Sequence, residues 1–249
     1  MFKRVTVDHG RRALLGAAGV VTLQGLFQAT AAWGKDAPGA KLKIGIVGSG
    51  HIGGTVGGLW VKAGHSVCFS SRHPDQLHDL VARLGPLARS GTVEQAIAFG
   101  DVLFFAVPFG ALPQLGKDYA KQLKGKIVLD ASNAMARRDG PVADEAAQNG
   151  IGVTSQKYLP GTHLVRAFNT INYKLLESEA HRSAPRLAVP LAGNDAHAVQ
   201  TAAALVWDAG FDPVEVGTAA DASRFQSGAP GYGPMTAAEL KLKLSLLRP

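Results

Sequence analysis

"IVGSGHIGG", residues 46–54, decides how this chain is read. Gly48, Gly50 and Gly53 stand in G-x-G-x-x-G spacing. Before them runs "KLKIGIV" (41–47), which alternates into an apolar, β-rich stretch; after them the apolar spacing turns helical from Ile52 to Ala63 and stops at Gly64. A strand that feeds a helix through such a loop separates a dinucleotide-binding turn from a chance cluster of glycines. Gly48 permits the tight turn, Gly50 lets backbone approach a pyrophosphate, and Gly53 lets the helix pack close to the strand. Ser49, His51 and Ile52 complete the loop. The N–H groups that open the helix, with their partial positive charge, face the phosphates. The His51 ring is open to three readings: a phosphate contact, a contact to the substrate, or no role.

Working outward, "HSVCFSS" (65–71) predicts a second strand and "PDQLHDLVARLG" (74–85) a helix with Pro at its first turn and Gly beyond its end. "TVEQAIAFG" (92–100) predicts a short helix capped by Thr92. "DVLFFAVP" (101–108) is a continuous apolar strand, as when both faces of a parallel sheet are covered. A helical stretch from Ala111 to Leu123 leads to "KIVLDAS" (126–132), read as a fourth strand, and then to a Gly- and Asn-rich passage. "HLVRAFNT" (163–170), "RLAVPLAG" (186–193) and "DPVEVG" (212–217) predict further strands. Asp195 and Gly210 bracket an amphipathic helix, and "TAAELKLKLSLL" (236–247) closes the chain as another. Strands alternating with helices predict an α/β fold: a Rossmann-type, doubly wound, mostly parallel sheet, with a short α/β C-terminal extension on the substrate side.

About twenty residues beyond the glycines, where an acid commonly accepts hydrogen bonds from the adenine ribose, the chain reads "FSSRHP" (69–74). Ser70, Ser71 and Arg72 offer two hydroxyls and a guanidinium suited to phosphate geometry, which selects NADP over NAD. His73 joins them if protonated.

The first residues read as an address. "MFKRVTVDHGRRALLGAAGVVTLQGLFQATAAWG" (1–34) is basic, then modestly apolar from Ala13 to Leu23, then small, with an A-x-A site at 29–31. That is a secretory signal pattern, and the apolar run is too short for a spanning helix. Arg11-Arg12 before Ala13-Leu14-Leu15 is twin-arginine-like, although Gly10 stands where Ser or Thr is usual. The domain reading is a signal over 1–32, a linker over 33–40, an NADP-binding core over 41–170 and a smaller C-terminal α/β portion over 171–249. Export to the periplasm is expected; cytoplasmic residence and an uncleaved anchor are the alternatives. The net charge is +7. Removing residues 1–31 leaves 22 basic and 18 acidic residues, or +4, without a basic stripe, which argues against nucleic acid as partner. Cys68 is the single cysteine, so no intrachain disulfide forms, and its apolar surroundings predict an inert buried thiol.

"KIGIVGSGHIGG", "FSSRHP", "FFAVPFGAL", "IVLDASN" and "VRAFNTIN", in that order, resemble the NADP-dependent oxidoreductases of the coenzyme F420-dependent reductase family, to which the cytosolic domains of six-helix membrane metalloreductases also belong. The likeness runs from about Lys41 to Gly217. It implies that Ala106, Val107 and Pro108 lie beside the cofactor's ribose and nicotinamide end, and that Asn133 and Ala167 line the same crevice. It also implies that Asn169 and Thr170 face the nicotinamide and the hydride acceptor; a local turn former is the other reading of each asparagine. No catalytic residue is assigned; Asn169, Thr170 and His51 are the acceptor-side candidates. The implied activity is hydride transfer between NADPH and a flavin- or deazaflavin-like acceptor such as F420. The alternatives are an NADP-binding module without turnover and a reductase of a small carbonyl or imine. The chain has no G-x-S-x-G elbow, no H-E-x-x-H and no C-x-x-C, and its eight histidines are dispersed, so no metal is expected. The expected partner is a small-molecule substrate, with no stable membrane insertion after signal removal and a homodimer left open.

Overall fold

A computed structural model of the chain describes residues 41–246. The signal and the linker read from the sequence therefore lie outside the described residues. Eight strands form one sheet: β1 (Lys43–Val47), β2 (Ser66–Ser70), β3 (Ala88–Gly91), β4 (Val102–Phe105), β5 (Ile127–Asp130), β6 (His163–Arg166), β7 (Ala188–Gly193) and β8 (Asp212–Gly217), in the order β3-β2-β1-β4-β5-β6-β7-β8. The first six are parallel, and the order reverses direction between β1 and β4. β7 runs antiparallel to β6, and β8 parallel to β7. This is the Rossmann-type α/β fold. Residues beyond 170 extend the same sheet by two strands.

Period-two side-chain alternation explains how these strands feed two apolar layers at once. Ile44, Ile46 and Phe104 enter one layer with Val56 and Trp60 of the helix His51–Lys62 and with Val199 and Val206 of the helix Ala196–Asp208. Val47, Leu103 and Phe105 enter the other, with Ile97, Leu112, Ile151 and Phe225. Trp60, fully buried, donates its indole N–H to the Leu205 carbonyl at 2.8 Å, pinning the first helix to Ala196–Asp208.

Three features went unread in the sequence. β3 is a four-residue edge strand, "ARSG", too short and too polar to show a period. "KIVLDAS" is accordingly the fifth strand, β5, not the fourth. The Gly- and Asn-rich passage holds the helices Ala136–Asp139, Pro141–Asn149 and Ile151–Tyr158, punctuated by Gly140 and Gly150 at φ +55° and +86°. Their brevity hides any helical repeat. β6 ends at Arg166, so "AFNT" is a loop at the strand's carboxyl end rather than strand.

Candidate active site

The crevice opens outside the carboxyl ends of β1, β4, β5 and β6, at the point where strand order reverses, which is where open α/β sheets bind ligands. Its first wall is backbone. Gly48 has φ +95°, and a Cβ there would press on the Ala106 carbonyl oxygen at 2.6 Å. A Cβ on Gly53 would fall on the Gly48 carbonyl oxygen, whereas one on Gly50 would meet nothing within 4 Å. The three glycines thus divide as the spacing predicts: two for packing, one bordering open space. Gly50 caps the helix His51–Lys62, and among the described residues no side chain caps the free N–H groups of its first turn. The Ser49 hydroxyl oxygen is buried without a partner among the described residues. His51 stacks on Tyr173 with ring centroids 4.2 Å apart and 14° between planes, so it turns toward the helix Tyr173–Ser178. Ile52 is half-buried and packs against the apolar layer behind the loop.

The end of β2 corrects one expectation. Ser70 is fully buried and its hydroxyl donates to the Ile46 carbonyl at 2.6 Å, while its own carbonyl accepts from the N–H groups of Gly48 and Ser49. Ser70 therefore builds the glycine loop, and its hydroxyl does not face a ligand. Ser71 Oγ accepts from the His73 N–H at 2.9 Å, which turns the chain there. Arg72 and His73 are exposed, and among the described residues neither has an ion-pair partner.

At the end of β4, Ala106 and Val107 are half-buried and Pro108 exposed; Ala106 closes against the glycine loop. Its neighbour Gly110 donates its N–H to Asp139 at 3.1 Å. Asp139 also accepts from the Met135 N–H and from Arg138, tying the loops after β4 and β5 together. Burial works against the Asp139 carboxylate, but these donors prevail and hold it below the usual carboxylate range.

The far wall rests on side chains the sequence reading did not single out. Asp130 and Arg166 are register partners across β5 and β6, and both are fully buried. Arg166 Nη1 donates to Asp130 at 2.5 Å and Nη2 to the Ser132 carbonyl; Ser132 donates its N–H and hydroxyl back to Asp130. The available signal was a lone acid and a lone arginine at the ends of two apolar strands. Beyond that clamp, Phe168 turns through φ +60°, Asn133 Nδ2 donates to the Asn169 carbonyl at 2.8 Å, and Asn169 Nδ2 donates to the Phe225 carbonyl at 3.1 Å. Ala167, Asn169 and Thr170 are buried, and among the described residues Asn169 Oδ1 and Thr170 Oγ1 have no partner. Phe225 comes from the C-terminal stretch whose contacts the sequence could not place, and the next two residues, Gln226 and Ser227, line a cavity of about 140 Å³ with Ala134 and Ile151. A larger groove, about 710 Å³, touches the loop at Ser49–His51 but runs back along the outside of the first helix to Lys62.

Residues 43–134 match the model of the family described as NADP oxidoreductase, coenzyme F420-dependent. The chain is 30% identical to Metalloreductase STEAP3 of Rattus norvegicus over 200 residues, covering 78% of this chain and 36% of that protein, so it spans about a third of that relative's length. Among solved structures it resembles a hypothetical protein from Sinorhizobium meliloti (27% identity, TM-score 0.68, 79% of this chain and 95% of that one). It also shares its fold with a putative F420-dependent NADP reductase from Arthrobacter sp. FB24 (24% identity, TM-score 0.62, 73% and 87%) and, more distantly, with an imine reductase from Myxococcus stipitatus (15% identity, TM-score 0.54, 83% and 60%). Five sequence motifs, the reversal of strand order beside the glycine loop and the match over residues 43–134 point the same way: through that segment the chain is similar to the NADP oxidoreductases of the coenzyme F420-dependent family.

Proposed function

We propose that the chain is an NADP(H)-dependent oxidoreductase that passes a hydride between NADPH and a flavin- or deazaflavin-like acceptor. The observation that carries the cofactor is Arg72: an exposed guanidinium without a partner among the described residues, just beyond the end of β2, on the side of the bare helix N-terminus that Gly50 opens. The backbone N–H groups of that helix would hold the pyrophosphate, and Arg72 with Ser71 the 2′-phosphate. The crevice beyond, bounded by Ala106–Pro108, Asn133, Ala167 and Asn169, would receive the nicotinamide. Bound NADPH supplies the hydride; the protein's part is to position the ring, exclude water and leave one face open to the acceptor. Charge-assisted hydrogen bonds contribute about 1.5–3 kcal/mol. Arg72→Asp therefore weakens NADP by about 10–100-fold or more while changing NAD little; equal losses for both, by titration calorimetry, would remove the 2′-phosphate assignment. Stopped-flow mixing of NADPH-loaded protein with FMN or F420 should show oxidation of the nicotinamide. Oxidation by carbonyls or imines alone would move the acceptor to that class, and none with any acceptor would leave a binding module.

Export through the twin-arginine route is part of the same proposal. That route carries folded proteins, so the cofactor could be loaded before transport. Cell fractionation of the full chain against an Arg11→Lys, Arg12→Lys variant tests it; unchanged distribution would overturn it.

A further inference from the structure

The cavity of about 140 Å³ adjoins the far wall of the crevice. Two chain connections place it there. Ala134 follows Asn133, which donates to the Asn169 carbonyl, and Gln226 follows Phe225, whose carbonyl accepts from Asn169. Most of the remaining lining is Ala143, Ala146 and Ala147 of the helix Pro141–Asn149, with Ile151 at the start of the next helix. Three- and four-residue spacing sets the three alanines on one helix face, and their small side chains leave the hollow. Ala143, Ala146 and Ile151 are buried, whereas Ala147 and Ser227 are exposed, so the hollow has a dry floor and an open rim.

Size and polarity narrow what could enter. An engineered apolar cavity of about 150 Å³ holds one benzene ring. The hollow therefore has room for one ring of an acceptor, not for a whole tricycle. Its only polar side chains are Gln226 and Ser227, both neutral, and among the described residues no ionisable side chain lines it. The cations nearest along the chain, Arg137 and Arg138, lie outside the lining, and Arg138 is engaged by Asp139. An ionised substituent carried into the hollow would lose its water without gaining a counter-ion.

We infer that this cavity receives the benzenoid end of the hydride acceptor, and that its alanine lining selects a flavin, whose outer ring carries two methyl groups, over an 8-hydroxydeazaflavin such as F420, whose outer ring carries an ionisable hydroxyl. The inference rests on the proposed hydride transfer and narrows its acceptor. Ala146 and Ala147 act here as specificity-determining residues and take no part in bond making.

The test is equilibrium binding, by calorimetry on the full chain saturated with NADP+. The ligands are riboflavin, 7,8-didemethylriboflavin, which lacks both methyl groups, and F420. Riboflavin should bind about tenfold tighter than its didemethyl analogue, the worth of two buried methyl groups, and F420 should bind more weakly than riboflavin. Ala147→Leu fills the hollow from its exposed rim and should weaken riboflavin about tenfold or more with NADP+ affinity unchanged. Ala147→Lys brings a cation to the rim and should narrow the gap between F420 and riboflavin. Equal affinity of the wild-type chain for riboflavin and its didemethyl analogue, or tighter binding of F420, would overturn the inference without any variant having to fold. Unchanged riboflavin binding in Ala147→Leu would also overturn it, marking the hollow as a packing gap. If NADPH still reduces any of the three ligands in those cases, the proposed hydride transfer stands and only the acceptor assignment falls. If none of the three binds or is reduced, both fall.

Discussion

The two walls of the crevice are made in different ways. The wall formed by β1, β2 and the glycine loop is backbone: two glycines that pack where a Cβ would collide, one that borders open space, and a helix start without a side-chain cap. The wall formed by β5, β6 and the C-terminal stretch is side chain: a fully buried Asp130–Arg166 pair, Ser132 folded into it, and a chain of amide contacts through Asn133 and Asn169 to Phe225. The first suits phosphates, which every dinucleotide carries. The second, under the proposed function, receives the nicotinamide and whatever meets it. A generic end can be built from N–H groups alone, whereas a selective end needs functional groups held at fixed rotations.

Breaking the side-chain wall should have the largest effect. Arg166→Met leaves the Asp130 carboxylate buried without its counter-ion, which costs about 3–5 kcal/mol. Urea denaturation should show that loss, and Asp130→Leu in the same chain should recover part of it by removing the stranded charge. Full loss in the double variant would mean that the pair itself, not the stranded charge, carries the stability.

The backbone wall can be divided glycine by glycine. Gly53→Ala drives a Cβ onto the Gly48 carbonyl and should destabilise the fold by about 1–3 kcal/mol, as overpacking does. Gly50 has φ −73° and empty space around its Cβ position, so Gly50→Ala should leave the thermal midpoint nearly unchanged while weakening NADP. Equal thermal shifts in the two variants would erase the distinction between packing glycine and approach glycine.

The smallest expected effect joins the two halves at the amino ends of β1 and β2, the opposite end of these strands from the crevice. His65, 1% exposed, accepts the Leu42 N–H on Nδ1 and donates from Nε2 to Asp208, at the end of the helix Ala196–Asp208. Burial lowers its pKa below the ordinary histidine value, outweighing the opposing pull of Asp208, and Lys41 lowers it further. The unfolded chain therefore takes up a proton near pH 6.5 that the folded chain resists. The His65 contribution is present above that pH and is lost as pH falls through the folded value, by at most about 1.4 kcal/mol per pH unit. Stability measured from pH 7.5 down to 5 should fall along that slope in the wild-type chain and more gently in His65→Gln. Parallel profiles would place the pH dependence elsewhere.

How much of this was legible beforehand follows the same division. Gly48, Gly50 and Gly53 announce themselves because a turn, a close approach and a helix contact each demand glycine at a set spacing. β1, β4 and β5 announce themselves because both their faces are covered. β3 and the three short helices between β5 and β6 do not, since four to nine residues carry too little periodicity. Cys68 was readable as a buried thiol, and its burial raises its pKa. Ser70 was misread: two adjacent hydroxyls before an arginine look alike in sequence, and only the strand's pleat turns Ser70 inward to the Ile46 carbonyl and leaves the next residue outside.

The amino-acid sequence by itself determined the strand–loop–helix with its glycine spacing and the cation just beyond the second strand, because both depend on residues near one another along the chain. Tertiary structure alone decided the far wall of the crevice. Asp130 meets Arg166 across 36 residues, and Asn169 meets Phe225 across 56. Contacts that distant are set by strand register and by the path of the C-terminal stretch, and neither leaves a local pattern to read.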